Sequence, residues 1–228
     1  LLPMSLAGLI GDAILSRAGY LELFGATAIA AALGGVASWL LADSRPAVQA
    51  GGPAPRSFFA TAMVPTLRPL WLLSFSFALA IASYYTFLRT FIDHVGVGSM
   101  GLFFSVYAGA AILLRVVLGW IPDRVGARPS MVPAMVASVV GLWVLRGADR
   151  DLDIAIAGLL TGTGHAFVFP ILSALVVTRA EDHERGAALS MFTALFDLGM
   201  LVGAPVLGAV LEHTSYGTMF GVAAAAVV

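Results

Sequence analysis

Two ionisable side chains lie deep inside long apolar runs of the sequence, Asp197 in the run 186–211 and His165 in the run 152–178. A charged group near the centre of a bilayer costs about 2.5–3.5 kcal/mol on insertion scales, so each of these residues needs a reason to be there. A carboxylate at mid-depth can bind and release protons, and we predict that Asp197 faces a cavity or the bundle interior as a proton- or ion-coupling site. The alternative is a structural aspartate that a neighbouring Arg or Ser neutralises.

The surroundings of His165 favour a cavity. Small residues, Thr161 to Gly164, precede it, and the pair Phe169-Pro170 follows. Gly and Pro in mid-span allow a helix to unwind locally, and the freed backbone groups can line a cavity. Because imidazole titrates near neutral pH, His165 is a candidate for substrate binding or proton transfer. A hydrogen-bonded structural histidine is the alternative.

Arg115 is a candidate partner for Asp197. It lies deep in its apolar run but within snorkelling reach of the nearer membrane interface. An ion pair with Asp197 across neighbouring helices is one interpretation, and anchoring of the span end is the other.

The run 69–92 adds the sequence Ser83-Tyr84-Tyr85 and Arg89. Aromatic rings with polar edges suit the wall of a cavity that takes an amphipathic solute, so Tyr84, Tyr85 and Arg89 are candidates for substrate contact. They suit an interface belt equally well, because Arg89 sits near the end of the run and Asp93, one helical turn on, is a natural partner.

The composition requires that lipid surround these residues. Of the 228 residues, 60% are hydrophobic and 11% are charged, whereas soluble domains carry about 25% charged residues. Such a chain cannot cover a water-facing surface, so the bilayer must be its main solvent. The net charge of −1 gives no electrostatic reason to expect nucleic acid, and the absence of cysteine excludes disulfides, thiolate catalysis and Cys-ligated metals.

The apolar runs predict an all-α membrane protein with about eight spans. A span needs about 20 apolar residues, and six runs reach or approach that length, with a partial run at each end, 1–15 and 216–228. Both ends of the sequence are therefore predicted to be cut inside apolar helices. The six runs are 20–42, 69–92, 99–121, 130–147, 152–178 and 186–211.

One connection differs from the others. Residues 43–68 combine Pro, Gly and Arg, a composition typical of a flexible linker between two bundles. Arginines are more frequent in this linker and in the loops 122–129 and 178–185 than in the alternate loops, which places these three connections in the cytoplasm.

An internal repeat is predicted from two similar stretches. Ala7-Gly8-Leu9-Ile10-Gly11 precedes a Tyr20-to-Gly25 segment, and Ala204 to Gly208 precedes a similar Tyr216-to-Gly221 segment, at an offset of about six spans. Chance similarity between Gly- and Ala-rich helices is the alternative. The repeat implies two six-helix halves: residues 1–42 would end the first, 43–68 would link them, and 69–228 would form the second, with its last helix truncated.

The loop 119–129 closes a span with the pattern Gly-x-x-x-Asp-Arg-x-Gly-x-Arg. Its glycines permit close packing and a tight reversal in which φ is positive, and its Asp can face a helix N-terminus while its Arg side chains pair with carboxylates or lipid phosphates. An ordinary turn held by arginines at the cytoplasmic face is the alternative, although it does not require the Asp and both glycines. The residues of the pattern are Gly119, Asp123, Arg124, Gly126 and Arg128.

This pattern resembles the signature loop of the major facilitator superfamily, and with the repeat and the linker the resemblance extends over essentially the whole chain, from the fifth helix to the twelfth. It implies two bundles that rock about a midplane cavity, with Asp123, Arg124 and Arg128 holding one cytoplasmic-side conformation. The exporters of that family carry a Gly-Pro-x-x-Gly-Gly motif in the fifth helix. The matching residues 7–12 lack the Pro, whereas residues 204–209 keep it, so this motif alone leaves the direction of transport open.

A narrower resemblance rests on the stretches 162–170 and 196–199, which are similar to bacterial sugar-efflux-like and multidrug-efflux-like permeases. Together with the broader resemblance it implies a secondary transporter, multi-pass in the bacterial inner membrane and monomeric in its full-length form, and we predict proton-coupled export of a small solute. Its expected partners are the solute, protons or another coupling ion, and the lipid bilayer, but not nucleic acid.

Other functions remain open at this point. An intramembrane enzyme would use His165 and Asp197 as acid–base groups, but no Gly-x-Ser-x-Gly or His-Glu-x-x-His pattern accompanies them. A receptor or scaffold derived from a transporter is the third class. A nucleotide-binding loop needs a Lys, and the chain has none. We therefore predict a secondary transporter, no catalytic activity, and no cofactor or metal.

Overall fold

The computed structural model describes residues 10–11, 13–15, 17–41 and 58–227. Helices form nearly all of this part of the chain, and no β-strand occurs in it. The chain divides into two compact units, Leu2–Ala54 and Pro55–Val228. The predicted all-α fold is confirmed.

The described part of the first unit contains one long helix, α1, Tyr20–Trp39. It begins after Gly19, whose φ of 104° lies in the left-handed region that favours glycine. No residue of α1 is buried by other described residues. An apolar helix without a buried face is typical of a segment whose surroundings are lipid or further helices.

The second unit contains five long helices joined by short segments. A 3₁₀ turn, Asp182–Glu184, lies between the last two of these long helices. The α-helices are α2 Phe58–Ala62, α3 Arg68–Val95, α4 Met100–Leu118, α5 Ile121–Val125, α6 Ala127–Arg146, α7 Asp151–Arg179, α8 Arg185–His213 and α9 Tyr216–Ala225.

Six helices of the described chain are long and apolar enough to cross a membrane. They are α1, α3, α4, α6, α7 and α8, the last of them counted together with its 3₁₀ turn, and they correspond to the six predicted runs within a few residues at each end. The partial run 216–228 contains the short helix α9. Residues 1–9 and 12 of the partial run 1–15 lie outside the described residues, and with them Ala7, Gly8 and Leu9 of the first copy of the predicted repeat.

The predicted linker 43–68 is only partly described, and its described end is ordered. Residues 58–62 form helix α2, which packs against α8. Thr61 and Leu67 are buried. The Gly and Pro residues of the linker lie mostly before position 56, whereas Phe58 to Ala62 contain neither. A helical turn with an apolar contact surface is therefore available at this end.

Glycines bring the long helices of the second unit close together. A Cβ atom at Gly158 would lie 2.6 Å from the carbonyl oxygen of Phe103 on α4, and one at Gly162 would overlap the carbonyl oxygen of Tyr107. Lipid gives helices no hydrophobic reason to associate, so packing of this closeness supplies much of the attraction. The α4–α7 contact therefore depends on the absence of side chains at Gly158 and Gly162.

A second seam of the same kind joins α8 to α3. A Cβ at Gly199 would overlap the carbonyl oxygen of Phe75, and one at Gly203 would lie 2.9 Å from Cβ of Ala82. The buried hydroxyl of Ser74 donates to the carbonyl oxygen of Phe192 at 3.4 Å across the same seam. The two seams fix α7 and α8, which carry the predicted site residues, against α4 and α3.

Helix α7 continues without interruption from Asp151 to Arg179, through Gly162, Gly164 and Pro170. Local unwinding, which the Gly and Pro residues would allow, is not observed. The glycines instead serve packing: a Cβ at Gly164 would overlap the hydroxyl of Ser138 on α6. The end of α7 is fixed by Asp151, whose Oδ1 accepts a hydrogen bond of 2.6 Å from the backbone N–H of Gly98.

Candidate functional site

His165 lies near the middle of α7 among aromatic rings. Its ring is nearly parallel to that of Phe169, with 5.9 Å between centroids. The rings of Tyr107 and Phe77 lie 5.8 Å and 6.2 Å away. The buried Nδ1 atom of His165 has no hydrogen-bond partner within the described residues. This nitrogen therefore does not supply the hydrogen bond that a structural histidine would make, and both interpretations of His165 stay predictions.

The rings around His165 belong to a larger set that we call the aromatic cluster. On one side it includes Tyr84 and Tyr85, whose centroids are 5.4 Å apart, and Tyr84 lies 5.9 Å from Tyr107. On the other side Phe169 contacts rings of α8. The cluster consists of Phe77, Tyr84, Tyr85, Phe103, Phe104, Tyr107, Phe169, Phe192 and Phe196.

The cluster offers flat apolar surfaces with a few polar edges. Aromatic pairs of this kind favour tilted and edge-to-face arrangements, and further rings can join them. The polar groups inside it belong to His165 and three tyrosines. Such surroundings can bind an aromatic or amphipathic solute through ring contacts and one or two hydrogen bonds.

Tyr107 is a member of the cluster that sequence reasoning did not single out. It is almost fully buried, 2% exposed, and its backbone faces Gly162 of α7. A single tyrosine in an apolar helix carries no distinctive pattern. Phe103 and Tyr107 are four residues apart, as are Gly158 and Gly162. This shared spacing matches the contact between α4 and α7, but the sequence does not show that these two helices are neighbours.

Asp197 lies near the middle of α8, on the face of that helix that carries Ser190 and Thr193. These residues line an open groove of about 640 Å³. Asp197 is exposed and forms no ion pair or hydrogen bond with any described residue. The complete lining consists of Gly186, Leu189, Ser190, Thr193, Ala194 and Asp197.

One ring connects the groove to the aromatic cluster. Phe196 precedes Asp197 on α8 and contacts Phe169 edge-to-face, with centroids 5.1 Å apart. Phe169 in turn stacks on His165. The structure therefore brings His165 and Asp197 into one region of the bundle without direct contact between them.

Arg115 does not pair with Asp197 in the structure. It lies in the last turn of α4, is exposed, and has no ion-pair partner among the described residues. Helix α4 packs mainly on α7, whereas α8 packs mainly on α3. This placement leaves anchoring of the α4 end as the interpretation that the geometry favours.

The three candidates on α3 separate into two groups. Tyr84 is buried within the aromatic cluster, and Tyr85 is half-buried at its edge. Arg89 lies outside the cluster and forms a salt bridge of 3.0 Å with Asp93, with both side chains more than 60% exposed. The predicted Arg89–Asp93 partnership is therefore present, and it is located at the surface.

The signature-like loop forms a short helix between two turns. Gly119 ends α4, and its backbone N–H donates to the carbonyl of Arg115 at 3.1 Å. Gly126 has a φ of 104°, which confirms the positive φ predicted there. The Arg124 guanidinium lies 4.8 Å from the ring centre of Trp120.

Asp123 and Arg128, the remaining polar residues of this loop, are exposed, and neither forms an ion pair with another described residue. The loop thus offers one carboxylate and two guanidinium groups at the surface. These charges are free to bind a partner that the described chain does not supply.

Comparisons with known proteins agree with this geometry. The family model of the Major Facilitator Superfamily matches residues 2–146 and 70–228. An uncharacterized MFS-type transporter, YhhS of Salmonella typhimurium, is 28% identical over 188 residues, which cover 81% of this chain and 45% of that protein. No solved structure matches the chain significantly.

Two further relatives carry functional names. The multi-drug resistance efflux pump PmrA of Streptococcus pneumoniae is 28% identical over 68% of this chain and 40% of its own length. The multidrug resistance protein MdtH of Aeromonas hydrophila is 27% identical over 62% and 38%. The chain thus spans less than half the length of these relatives. Since the family model accounts for both units and six helices can span a bilayer, the chain is a multi-pass membrane protein that belongs to the major facilitator superfamily.

Proposed function

We propose that this protein is a secondary transporter of the bacterial inner membrane, which exports a small solute by alternating access and couples export to protons. The observation that carries the proposal is the position of Asp197, an unpaired carboxylate at the centre of an apolar helix, on a groove that also carries two hydroxyl groups. The name of PmrA, a multi-drug resistance efflux pump, supports export as the direction.

The depth of Asp197 supports a coupling role. It lies twelve residues after Arg185, the first residue of α8, which is about 18 Å along the helix axis. At that depth an exposed carboxylate would face hydrocarbon unless water or a polar surface covered the groove. Protonation removes this charge, so the free energy of exposing or enclosing the groove depends on whether Asp197 carries a proton.

The aromatic cluster is the proposed solute site. Its rings supply apolar contact, and Nδ1 of His165 is a buried polar atom with no hydrogen-bond partner in the described protein. A solute that reaches His165 supplies that hydrogen bond. Because Phe169 contacts both His165 and Phe196, movement of the solute site is transmitted to the residue next to Asp197.

The loop 119–129 is proposed to hold one conformation of the transporter. Asp123, Arg124 and Arg128 present charges without ion-pair partners among the described residues, and such charges can bind a second bundle reversibly. We further propose that residues 1–42 end a first bundle, that 43–68 connect it, and that 69–228 belong to a second bundle. Arg89, which is already paired with Asp93, is omitted from the proposed solute site.

The enzyme alternative receives no support from the geometry. No hydrogen bond or ion pair joins His165 to Asp197 in the described chain, and acid–base catalysis by the two together would require a shared reacting group.

Flux measurements test the proposal. The purified protein is reconstituted into vesicles that contain a pH-sensitive dye, and uptake of the aromatic cation ethidium is followed after a pH gradient is imposed. We expect gradient-driven uptake and an accompanying proton flow, and we expect Asp197→Asn to reduce both to background. Asp149→Asn changes an exposed loop carboxylate that pairs with Arg150, and it is expected to leave both unchanged.

Equal activity of Asp197→Asn and the unsubstituted protein would remove Asp197 from the coupling site. Absence of flux for ethidium and for a panel of uncharged aromatic solutes would count against transport itself.

A further inference from the structure

The carboxyl end of α6 combines an exposed tryptophan with an arginine that has no carboxylate partner among the described residues. The guanidinium carbon of Arg146 lies 4.8 Å from the ring centre of Trp143, which is 53% exposed. In contrast, Arg89, Arg150 and Arg185 each pair with an aspartate. A guanidinium that stacks on a ring keeps its in-plane N–H donors available. Arg146 therefore presents unused donors at the end of a membrane-spanning helix.

The position of Arg146 is fixed by a neighbouring helix. A Cβ atom at Gly221 of α9 would lie 2.8 Å from Nη1 of Arg146, and one at Gly217 would lie 3.4 Å from its Cγ. The two glycines are four residues apart, so they lie on one face of α9. Their missing side chains leave the space that the Arg146 side chain occupies between α6 and α9.

An apolar stripe leads along α6 to this arginine. Val132, Val136 and Val140 are 48%, 54% and 44% exposed. Their spacing of four residues places them on one face, and Trp143 continues it. From Val132 to Trp143 the helix rises about 16 Å, which is close to half of a hydrocarbon core about 30 Å thick. The stripe therefore has the length of an acyl chain in one leaflet.

We propose that this face of α6 is a binding site for an anionic phospholipid, with an acyl chain along Val132, Val136 and Val140 and the headgroup phosphate at Arg146 beside Trp143. Charge complementarity selects this occupant, because Arg146 has no carboxylate to neutralise it. A tryptophan at the level of the headgroups is typical of the membrane interface. The arginine distribution predicts that this end of α6 lies in the outer leaflet.

Lipid binding to the purified protein tests the site. Native mass spectrometry measures the dissociation constant of the first bound phosphatidylglycerol and of the first bound phosphatidylcholine. One basic residue near a membrane surface changes anionic-lipid affinity about five-fold, so we expect Arg146→Gln to weaken phosphatidylglycerol binding by about that factor and to change phosphatidylcholine binding little. Arg150→Gln is the matched control, since it removes an equal charge from an arginine that already pairs with Asp149.

The outcomes separate the alternatives. An equal loss in Arg146→Gln and Arg150→Gln would mean that lipid responds only to surface charge, and this result would overturn the site. An unchanged phosphatidylglycerol affinity in Arg146→Gln would overturn it as well. If Arg146→Gln fails to fold, Arg146→Lys keeps the charge but loses the planar fork, and about two-fold weaker phosphatidylglycerol binding is then expected; unchanged binding in that variant would contradict the site.

Discussion

The aromatic cluster around His165 and the groove of Asp197 occupy the same depth of the bundle but differ in enclosure. Each residue lies near the middle of a 29-residue helix, and the two helices contact each other. His165 is surrounded by rings and its Nδ1 atom is buried, whereas Asp197 is exposed beside hydroxyl groups. The cost of an ionisable group in a membrane helix is therefore met in two ways: a group that can be neutral is enclosed, and a carboxylate is left where water or a polar partner can reach it.

In the proposed function, this difference gives the two regions different tasks. An enclosed site discriminates between solutes by shape and by one hydrogen bond, because a solute must fit among the rings and satisfy His165. An open groove exchanges protons readily but selects little. The proposed coupled transport needs both functions, and the contacts of Phe169 with His165 and Phe196 keep the two regions adjacent.

The largest expected effect is a loss of stability when the close contact between α7 and α4, beside the aromatic cluster, is disrupted. Gly162→Ala places a Cβ against the carbonyl oxygen of Tyr107, which cannot move without displacing α4. Overpacking of this kind costs about 1–3 kcal/mol, and we expect a loss near 3 kcal/mol because the obstacle is backbone. The measurement is the unfolding midpoint in detergent, followed by circular dichroism.

Gly109→Ala is the matched control for this change. It lies on α4, and a Cβ there meets no atom within 4 Å. Because Ala favours the helix over Gly by about 1 kcal/mol, this variant is expected to be as stable as the unsubstituted protein or more so. Similar losses in both variants would show that the α4–α7 seam is not as close as described.

The second-largest expected effect concerns the access of water to the groove and to the aromatic cluster. Because the sequence contains no cysteine, introduced thiols can report this access directly. Thr193→Cys in the groove and Phe192→Cys on the buried face of α8 introduce one thiol each, at neighbouring positions. A charged maleimide reacts with thiolates that water reaches. We expect the reaction at position 193 to be about ten-fold faster or more in the purified protein.

His165→Cys extends the same measurement to the enclosed site. Its reaction rate is expected to resemble that of Phe192→Cys rather than that of Thr193→Cys. If positions 165 and 193 react equally fast, the contrast between enclosed cluster and open groove is wrong.

The sequence predicted the helices well because the bilayer imposes a simple rule. A segment must be apolar for about 20 residues to span it, and all six complete runs correspond to long helices. The glycines of α7 were harder to interpret. Gly162 and Gly164 are compatible with unwinding and with close packing, and only the positions of Tyr107 and Ser138 on other helices decide between them.

Single residues of the candidate site could be predicted from the sequence, but which of them lie together could not. Asp197 and His165 are conspicuous because ionisable residues are rare in apolar runs. Tyr107 has no such signal, and the hypothetical pair of Arg115 with Asp197 depended on which helices are neighbours. Helix adjacency is determined by side-chain contacts between segments far apart in sequence, and a hydropathy pattern does not encode those contacts.

The smallest expected effect concerns the Nδ1 atom of His165, which is buried in the aromatic cluster. His165→Phe replaces a ring that stacks on Phe169 with another aromatic ring and removes a buried polar atom that has no hydrogen-bond partner in the described protein. Leaving such an atom unsatisfied costs about 1–3 kcal/mol. We expect a gain of about 1 kcal/mol in the free energy of unfolding, the lower end of that range, because His165 as a whole residue is half-buried although its Nδ1 atom is buried. His213→Phe, at the exposed end of α8, should change it by less than about 0.5 kcal/mol.

The decisive comparison is between stability and solute binding in the same His165→Phe variant. If His165 donates to or accepts from the solute, the more stable variant must bind ethidium or an uncharged aromatic solute more weakly, because the hydrogen bond is lost while the ring contacts remain. Tyr107→Phe provides a second measurement, since it keeps the ring beside His165 and removes only a hydroxyl. A His165→Phe variant that is less stable than the unsubstituted protein would mean that Nδ1 is satisfied in the folded state. The enclosed site would then be structural, and solute recognition would have to reside in the groove of Asp197.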